Sequence, residues 1–220
     1  DFDRAINNID MKVGISWTGY SEPCLSPDLP EMCESVKSKG ISQVISTTLT
    51  GNDRSVEFVS SSKCFDSFTI HAPDSSGLMR GLKPDENYIN KFSSCLEQMY
   101  ANNQMRKVRI ITFGDHFYEP LVPFIKDALT NKGLQKEHLK LRDTVSTRAG
   151  GLDSEELSNQ GLQIRSTSVG GSGTFYCEKQ KLNQPVLLPD GELSICSFDY
   201  GFRCTYGNLF SEKLSVLRSR

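Results

Sequence analysis

The stretch "KVGISWTGYSEPCLSPDLPEMCESVKSKGISQVISTTL", Lys12 to Leu49, decides the fold. Its opening "KVGISW" reads as a buried strand, and a turn follows at Gly19 and Pro23. Asp28 and Glu31 stand three apart, as a capping-box pair does, and open a helix whose Leu29, Met32, Cys33 and Val36 share one face. Gly40 ends that helix, and "ISQVISTTL" supplies a second strand. One strand–helix–strand unit is thereby complete.

The same alternation runs on. "NDRSVEFVSSSK" is a shorter helix, and "FDSFTIHA" is a third strand. A polar loop then leads to a longer helix beginning near Pro84, with Tyr88, Phe92, Cys95 and Met99 at helical spacing. "KVRIITF" with "YEPLVPFIKDALTNKG" makes a fourth unit, and "HLKLRDTVS" a fifth strand. Apolar strands alternating with amphipathic helices imply an α/β fold: a parallel sheet with right-handed crossovers and helices packed outside it. The alternation ends near residue 150. Residues 151–173 are crowded with turn formers and read as a linker, which leaves 174–220 as a smaller second domain. There, two short apolar runs flank Pro189, Asp190 and Gly191, which predicts a β-hairpin, and a final helix lies near "SEKLSVLRSR".

Composition narrows the function. The 220 residues carry a formal net charge of -2, and the pI is about 6.0. No basic stripe offers itself to nucleic acid or to anionic lipid. Apolar runs such as "VRIITF" are strand-sized, far below the roughly 20 residues that cross a bilayer. The start, "DFDRAINNID", is acidic and helical and does not resemble a signal peptide. Seven cysteines, an odd number scattered along a long chain, suit a reducing cytoplasm better than a disulfide framework. Cys33 and Cys95 fall on apolar helix faces and read as small hydrophobes.

Chemistry is expected at the carboxyl ends of the strands, where the strand-to-helix loops of a parallel sheet gather. "TGYSEPC" is such a loop. Its glycine lets backbone approach a ligand, and Glu22 would attract an ammonium; the plainer alternative is a turn with a solvated carboxylate. His71, Asp74, Asp115, His116 and Arg148 lie near other strand ends, where substrate contacts would gather, although Asp115 could simply cap a helix. Arg148 could grip a carboxylate or phosphate bidentately. In the second domain, the spacing Cys-x13-Gly-x4-Cys from Cys177 through Gly191 to Cys196 lets the hairpin bring two thiols together, so that they could share a metal. Two unrelated buried thiols would show the same spacing.

The motifs in combination resemble one known family. "GYSEP" before a Pro-Asp helix resembles the "GxGEP" element of radical S-adenosylmethionine enzymes, and "ISTTLTG" is similar to their next strand. "FYCEKQKLNQPVLLPDGELSICSFDYGFRCTYGNLF" resembles the opening of the SPASM or twitch extension that follows the radical domain. The resemblance runs from about Lys12 to the end and implies a partial (β/α)6 barrel over residues 1–150. It also implies that S-adenosylmethionine is held by Gly19, Tyr20, Ser21, Glu22 and Pro23, with Ser46, Thr47 and Thr48 at the next strand's tip. Cys177 and Cys196 match the first two ligands of an auxiliary four-iron, four-sulfur cluster, with Cys204 a third candidate; iron in such clusters is held chiefly by cysteine. The reaction implied is radical modification of a peptide, sugar or other small molecule, in the cytoplasm, with electrons from a reductant such as a flavodoxin or ferredoxin. No residue is assigned to the chemical step.

One departure matters. The family's Cys-x3-Cys-x2-Cys loop, which holds the radical-generating cluster, matches no spacing among these seven cysteines. The expectation is therefore an interior portion of such an enzyme, unable by itself to cleave S-adenosylmethionine. The competing expectation is a non-catalytic α/β binding module, with a structural metal or plain thiols at Cys177 and Cys196. A zinc site would call for four ligands at close spacings that this sequence lacks.

Overall fold

A computed structural model describes residues 1–18, 21–79, 82, 84–142, 144–146, 163–165, 184–197, 199, 202 and 204–219. The chain falls into two compact units, one running from Gly14 to Asp143 and the other combining Asp1–Val13 with Thr144–Arg220.

The first unit holds five parallel strands in chain order: β1 (Gly14–Trp17), β2 (Ser42–Thr47), β3 (Ser67–His71), β4 (Val108–Phe113) and β5 (Leu139–Arg142). Between them run α2 (Leu29–Ser38), α3 (Asp53–Ser61), α4 (Glu86–Ala101) and α5 (Val122–Asn131). Right-handed crossovers that each step one strand along put every helix on the same face, and burial follows that rule. Ile45, Phe68, Ile70, Val108 and Ile110 alternate toward the helices and join Leu29, Cys33, Val59, Phe92 and Met99 in one core. The opposite face carries Ser46, Thr69, His71 and Phe113, all half-buried. This is the α/β fold expected, with the strand order of a partial barrel.

Two local expectations are corrected. Among the described residues β1 is an edge strand that pairs with β2 alone, and Gly14 and Ser16 are exposed, so "KVGISW" is not a buried strand. The capping box at α2 does not form either. Asp28 stands at the N-cap without a side-chain hydrogen bond, and Glu31 pairs instead with Arg54 of α3.

In the second unit, β8 (Val186–Leu187) and β9 (Glu192–Ser194) form the expected hairpin, with Gly191 at φ +87°. β10 (Thr205–Asn208) adds on the other side of β9. Two further short strands, β6 (Thr144–Ser146) and β7 (Gln163–Arg165), pair in parallel, although nothing in the sequence marked the second of them. The small core consists of Ala5 of α1 (Phe2–Asn7), Leu193, Leu209, and Leu214 and Leu217 of α6 (Leu214–Leu217). Polar contacts bind α1 there. Asn8 donates to the Leu209 carbonyl at 2.8 Å, Leu214 N–H donates to the Asn8 carbonyl, and the Asp10 carboxylate accepts from the N–H and hydroxyl of Ser215 at 3.0 and 2.6 Å.

Candidate functional site

The five strands of the sheet unit end at Trp17, Thr47, His71, Phe113 and Arg142. Because they are parallel, the loops leaving these residues gather at one end of the sheet. The chain leaves β1 and reaches Glu22, the N-cap of a short 3-10 helix over Pro23–Leu25.

There the Glu22 carboxylate is fully engaged. Its Oε1 accepts from Cys24 N–H at 3.1 Å and from the Thr47 hydroxyl at 2.5 Å. Its Oε2 accepts from Thr48 N–H at 2.6 Å and from the Thr48 hydroxyl at 2.7 Å. A carboxylate offers about four lone-pair positions, and these four donors account for them. Glu22 thus ties the end of β1 to the end of β2.

The two loops interlock around that tie. Asn52 donates to the Cys24 carbonyl from both its backbone and its side chain, at 3.0 and 2.9 Å. Its Oδ1 meanwhile caps α3 by accepting from Ser55 N–H at 2.9 Å. Gly51 lies so close that a Cβ built on it would meet the Cys24 carbonyl oxygen at 1.9 Å. The Cys24 thiol is wholly buried and contacts the Thr47 hydroxyl at 3.4 Å. Burial pushes this thiol up to about 12, so it stays protonated and serves as the donor.

Further along the strand ends, the rings of His71 and Phe113 stack with centroids 6.3 Å apart. Burial holds His71 below the usual imidazole range, Arg142 acts in the same direction, and the charge of Glu22 opposes both. Asp74 is 4% exposed and turned toward its own loop, where it accepts from the backbone N–H groups of Ser76, Leu78 and Met79. A bridge between Asp74 and Phe117 joins the loops after β3 and β4. Asp115 and His116 are exposed and lie 3.8 Å from each other, and Asp115 caps no helix.

The structure therefore brings Glu22 together with Thr47 and Thr48. Ser21 is exposed, Pro23 begins the 3-10 helix, and Ser46 lies half-buried on the face away from the helices. Gly19, Tyr20, Arg148 and Cys177 lie outside the described residues. Sequence reasoning passed over Cys24, Thr50, Gly51 and Asn52. The signal available was the run Thr-Gly-Asn directly after the second strand, where a glycine and a capping residue come together.

In the second unit, Cys196 follows β9 and is half-buried, while Cys204 precedes β10 and is exposed. Ile195 N–H donates to the Cys204 carbonyl at 3.1 Å, so the two cysteines flank a loop whose ends are paired. Asp199 closes that loop: its N–H donates to the Cys196 carbonyl, and its carboxylate accepts from Cys204 N–H at 2.9 Å. Among the described residues, no three His, Cys, Asp or Glu side chains gather as a metal site would require.

The sequence matches no known protein-family profile and no curated protein sequence. The fold does find counterparts. The chain is similar to Streptococcus suis SuiB bound to S-adenosylmethionine, with a TM-score of 0.54 and 13% identity over 97% of this chain and 56% of that one. For SuiB bound to the precursor peptide SuiA the TM-score is 0.52, with 15% identity over 91% and 52% of the two chains. A further SuiB crystal structure gives 0.50 and 14%, covering 96% and 56%. The chain thus spans a little over half the length of SuiB, and at these identities the likeness is one of fold. Among the described residues, no helix is long and apolar enough to cross a membrane.

Proposed function

We propose that this chain is the cofactor-binding portion of a radical S-adenosylmethionine enzyme that modifies a peptide. One observation carries the reading: a carboxylate at the carboxyl end of β1, locked to the tip of β2, in a fold similar to that of a protein crystallised with S-adenosylmethionine. The segment 19–23 and residues Ser46, Thr47 and Thr48 would receive the amino-acid end of that cofactor. The notch suits a cationic ammonium, since it holds the formal negative charge of Glu22 and several hydroxyl oxygens, while the nearby Lys91 is paired with Asp53 and the Gly51 carbonyl. When bound and reduced through an iron–sulfur cluster, S-adenosylmethionine supplies the radical that abstracts hydrogen from substrate. The likeness to SuiB bound to a precursor peptide favours a peptide over a sugar as that substrate.

The reading extends to an auxiliary four-iron, four-sulfur cluster on Cys177, Cys196 and Cys204 in a SPASM or twitch extension over 174–220. Support comes from the donor chemistry, since thiolates are the usual ligands of such clusters, and from the paired loop ends that carry Cys196 and Cys204. A flavodoxin or ferredoxin in the cytoplasm would supply the electrons.

The test is calorimetric titration of the protein with S-adenosylmethionine, alongside anaerobic reconstitution with iron and sulfide. Wild type is expected to bind the cofactor, and Cys177→Ala with Cys196→Ala to lower the iron content. Failure of wild type to bind defeats the cofactor reading, and unchanged iron defeats the cluster assignment. The 220-residue chain is expected to release no 5'-deoxyadenosine. A full-length parent that binds without cleaving would establish the non-catalytic binding module instead.

A further inference from the structure

Partners across a parallel ladder turn their side chains the same way, so the register sorts the strand residues by face. Phe68 pairs with Val108 and Ile70 with Ile110, all turned toward the helices. The residues between them lie on the open face. Over β1 to β3 that face carries hydroxyls, those of Ser16, Ser46, Ser67 and Thr69. Over β4 and β5 it carries charge: Arg109 is partnered with Thr69, Lys140 with Ile111, and Arg142 with Phe113. All three cations are exposed. Among the described residues, no strand position on this face is Asp or Glu, and no ion pair takes up any of the three. The charge is local, since the chain as a whole carries -2.

Charges on an edge strand commonly guard it against pairing with another chain, and Lys140 and Arg142 could do that on β5. Arg109 could not. It stands on β4, which is paired on both sides. The cations also border a defined surface, the stacked rings of His71 and Phe113. Arg142 lies close enough to His71 for its charge to act with burial in holding the imidazole low, so His71 is neutral and keeps one N–H to donate. The carboxylates at the rim do not answer this charge. Glu22 is taken by its four donors, and Asp115, beyond Phe113, lies beside His116.

Resting on the reading that the substrate is a peptide, we propose that the open face over β4 and β5 binds a carboxylate of that peptide, with Arg142 and Lys140 as its direct partners and Arg109 extending the attraction along β4. The anions an unmodified peptide offers are carboxylates, on Asp and Glu side chains and at its C-terminus. Residues two apart on a strand stand about 6.6 Å from each other, so a carboxylate fits between the long side chains of Lys140 and Arg142, met by a planar fork on one side and a mobile point charge on the other. The His71–Phe113 pair offers a neighbouring peptide side chain an aromatic surface. A lysine or arginine of the peptide would be repelled at the same place.

The experiment titrates short Gly-Ser peptides by calorimetry at low salt: one with a central Glu-Glu pair and both ends blocked, one with Gln-Gln and both ends blocked, and the Gln-Gln peptide with a free C-terminal carboxylate. Wild type is expected to prefer a peptide bearing a carboxylate over the blocked Gln-Gln peptide by roughly tenfold or more, the usual effect of a hydrogen bond to a charged group. Which of the two it prefers identifies the source. Arg142→Gln with Lys140→Gln should abolish the preference. Lys37→Gln with Lys39→Gln, the same change of charge at exposed positions ending α2, should leave it intact. All four positions are exposed, so the fold is retained, and every variant should bind S-adenosylmethionine as wild type does. Wild type that binds S-adenosylmethionine but shows no preference overturns the inference alone. So does a preference that survives Arg142→Gln with Lys140→Gln, or one that Lys37→Gln with Lys39→Gln removes as well. Weaker S-adenosylmethionine binding in the Arg142→Gln, Lys140→Gln variant would give these cations to the cofactor and overturn it too. Wild type that binds neither S-adenosylmethionine nor any of the peptides overturns the reading beneath it.

Discussion

Two strand-end loops of the sheet unit each gather around one carboxylate, and they do so with different donors. Asp74, after β3, takes three backbone N–H groups from its own loop, at 2.7, 3.0 and 3.1 Å. Glu22, after β1, takes Cys24 N–H locally, but its other three donors, Thr47 Oγ1, Thr48 N–H and Thr48 Oγ1, come from the neighbouring strand's end. Amides point where the backbone fixes them, whereas a hydroxyl rotates and carries lone pairs of its own. A carboxylate satisfied by amides of its own loop builds architecture and passes nothing on. One satisfied in half by hydroxyls of a neighbouring strand's end is tied to side chains that can turn.

The largest effect that would test this contrast falls on the glycines beside the two loops. An alanine at Gly51 would put its Cβ 1.9 Å from the Cys24 carbonyl oxygen and 2.1 Å from its carbon, both backbone atoms. At Gly114 the nearest atom is the Leu78 Cδ1, 3.1 Å away on a flexible side chain, and the strain comes from φ +92°. Gly51→Ala is expected to cost about 3 kcal/mol or more of stability, and Gly114→Ala about 1–2 kcal/mol. Equal losses in thermal unfolding would mean that the Glu22 loops are no more tightly interlocked than those around Asp74.

Next come the carboxylates themselves. Asp74→Asn replaces an accepting oxygen with a donor that faces backbone N–H groups, at roughly 2–3 kcal/mol. Glu22→Gln should cost about 1–2 kcal/mol: the new amide faces one fixed N–H on either side, that of Cys24 or of Thr48, while the hydroxyl on the same side can turn to meet it. Affinity sharpens the distinction. At temperatures where both variants are folded, Asp74→Asn should bind S-adenosylmethionine as wild type does, and Glu22→Gln should bind it more weakly. A weakened Asp74→Asn would place that loop in the site and dissolve the contrast.

How much of this was legible in the sequence follows from how far apart the partners lie. Helix faces, strand runs and the Pro-Asp-Gly turn are local properties, and α2 to α5, the first four strands and the hairpin could be read from them; the run read as a fifth strand, "HLKLRDTVS", divides instead into β5 and β6, which lie in different sheets. Whether a strand lies at an edge depends on its neighbours, so β1 was misjudged as buried. Glu31 sits at capping-box spacing from Asp28, yet Arg54, 23 residues on, takes it. The Glu motif was visible, but its partners stand 25 and 26 residues away. The attachment of α1 to the second unit spans 201 to 205 residues through Asn8 and Asp10, and no local pattern announces a contact of that range.

The smallest effect is a pH dependence, and it separates the strand-end region from the second unit. His71 is held below its ordinary value mainly by burial, so on acidification the unfolded chain takes up the proton first. The unfolded state then binds more protons than the native state, and stability falls as pH drops below about 6.5 toward the depressed folded value. Above that window the term is fully present and flat. Asp10 acts in the same sense but in a lower pH window and in the other unit. Its carboxyl is lowered chiefly by the hydrogen bond from Ser215, so its contribution is present above about 3.9 and is lost only as pH falls further. Thermal unfolding measured across pH should therefore show an upper slope that His71→Asn abolishes and Asp10→Asn leaves alone, with a lower slope that responds the other way. If His71→Asn leaves the upper slope intact, the imidazole is not held neutral against Phe113, and the electrostatic asymmetry between the Glu22 end and the Arg142 end of the sheet loses its measurable consequence.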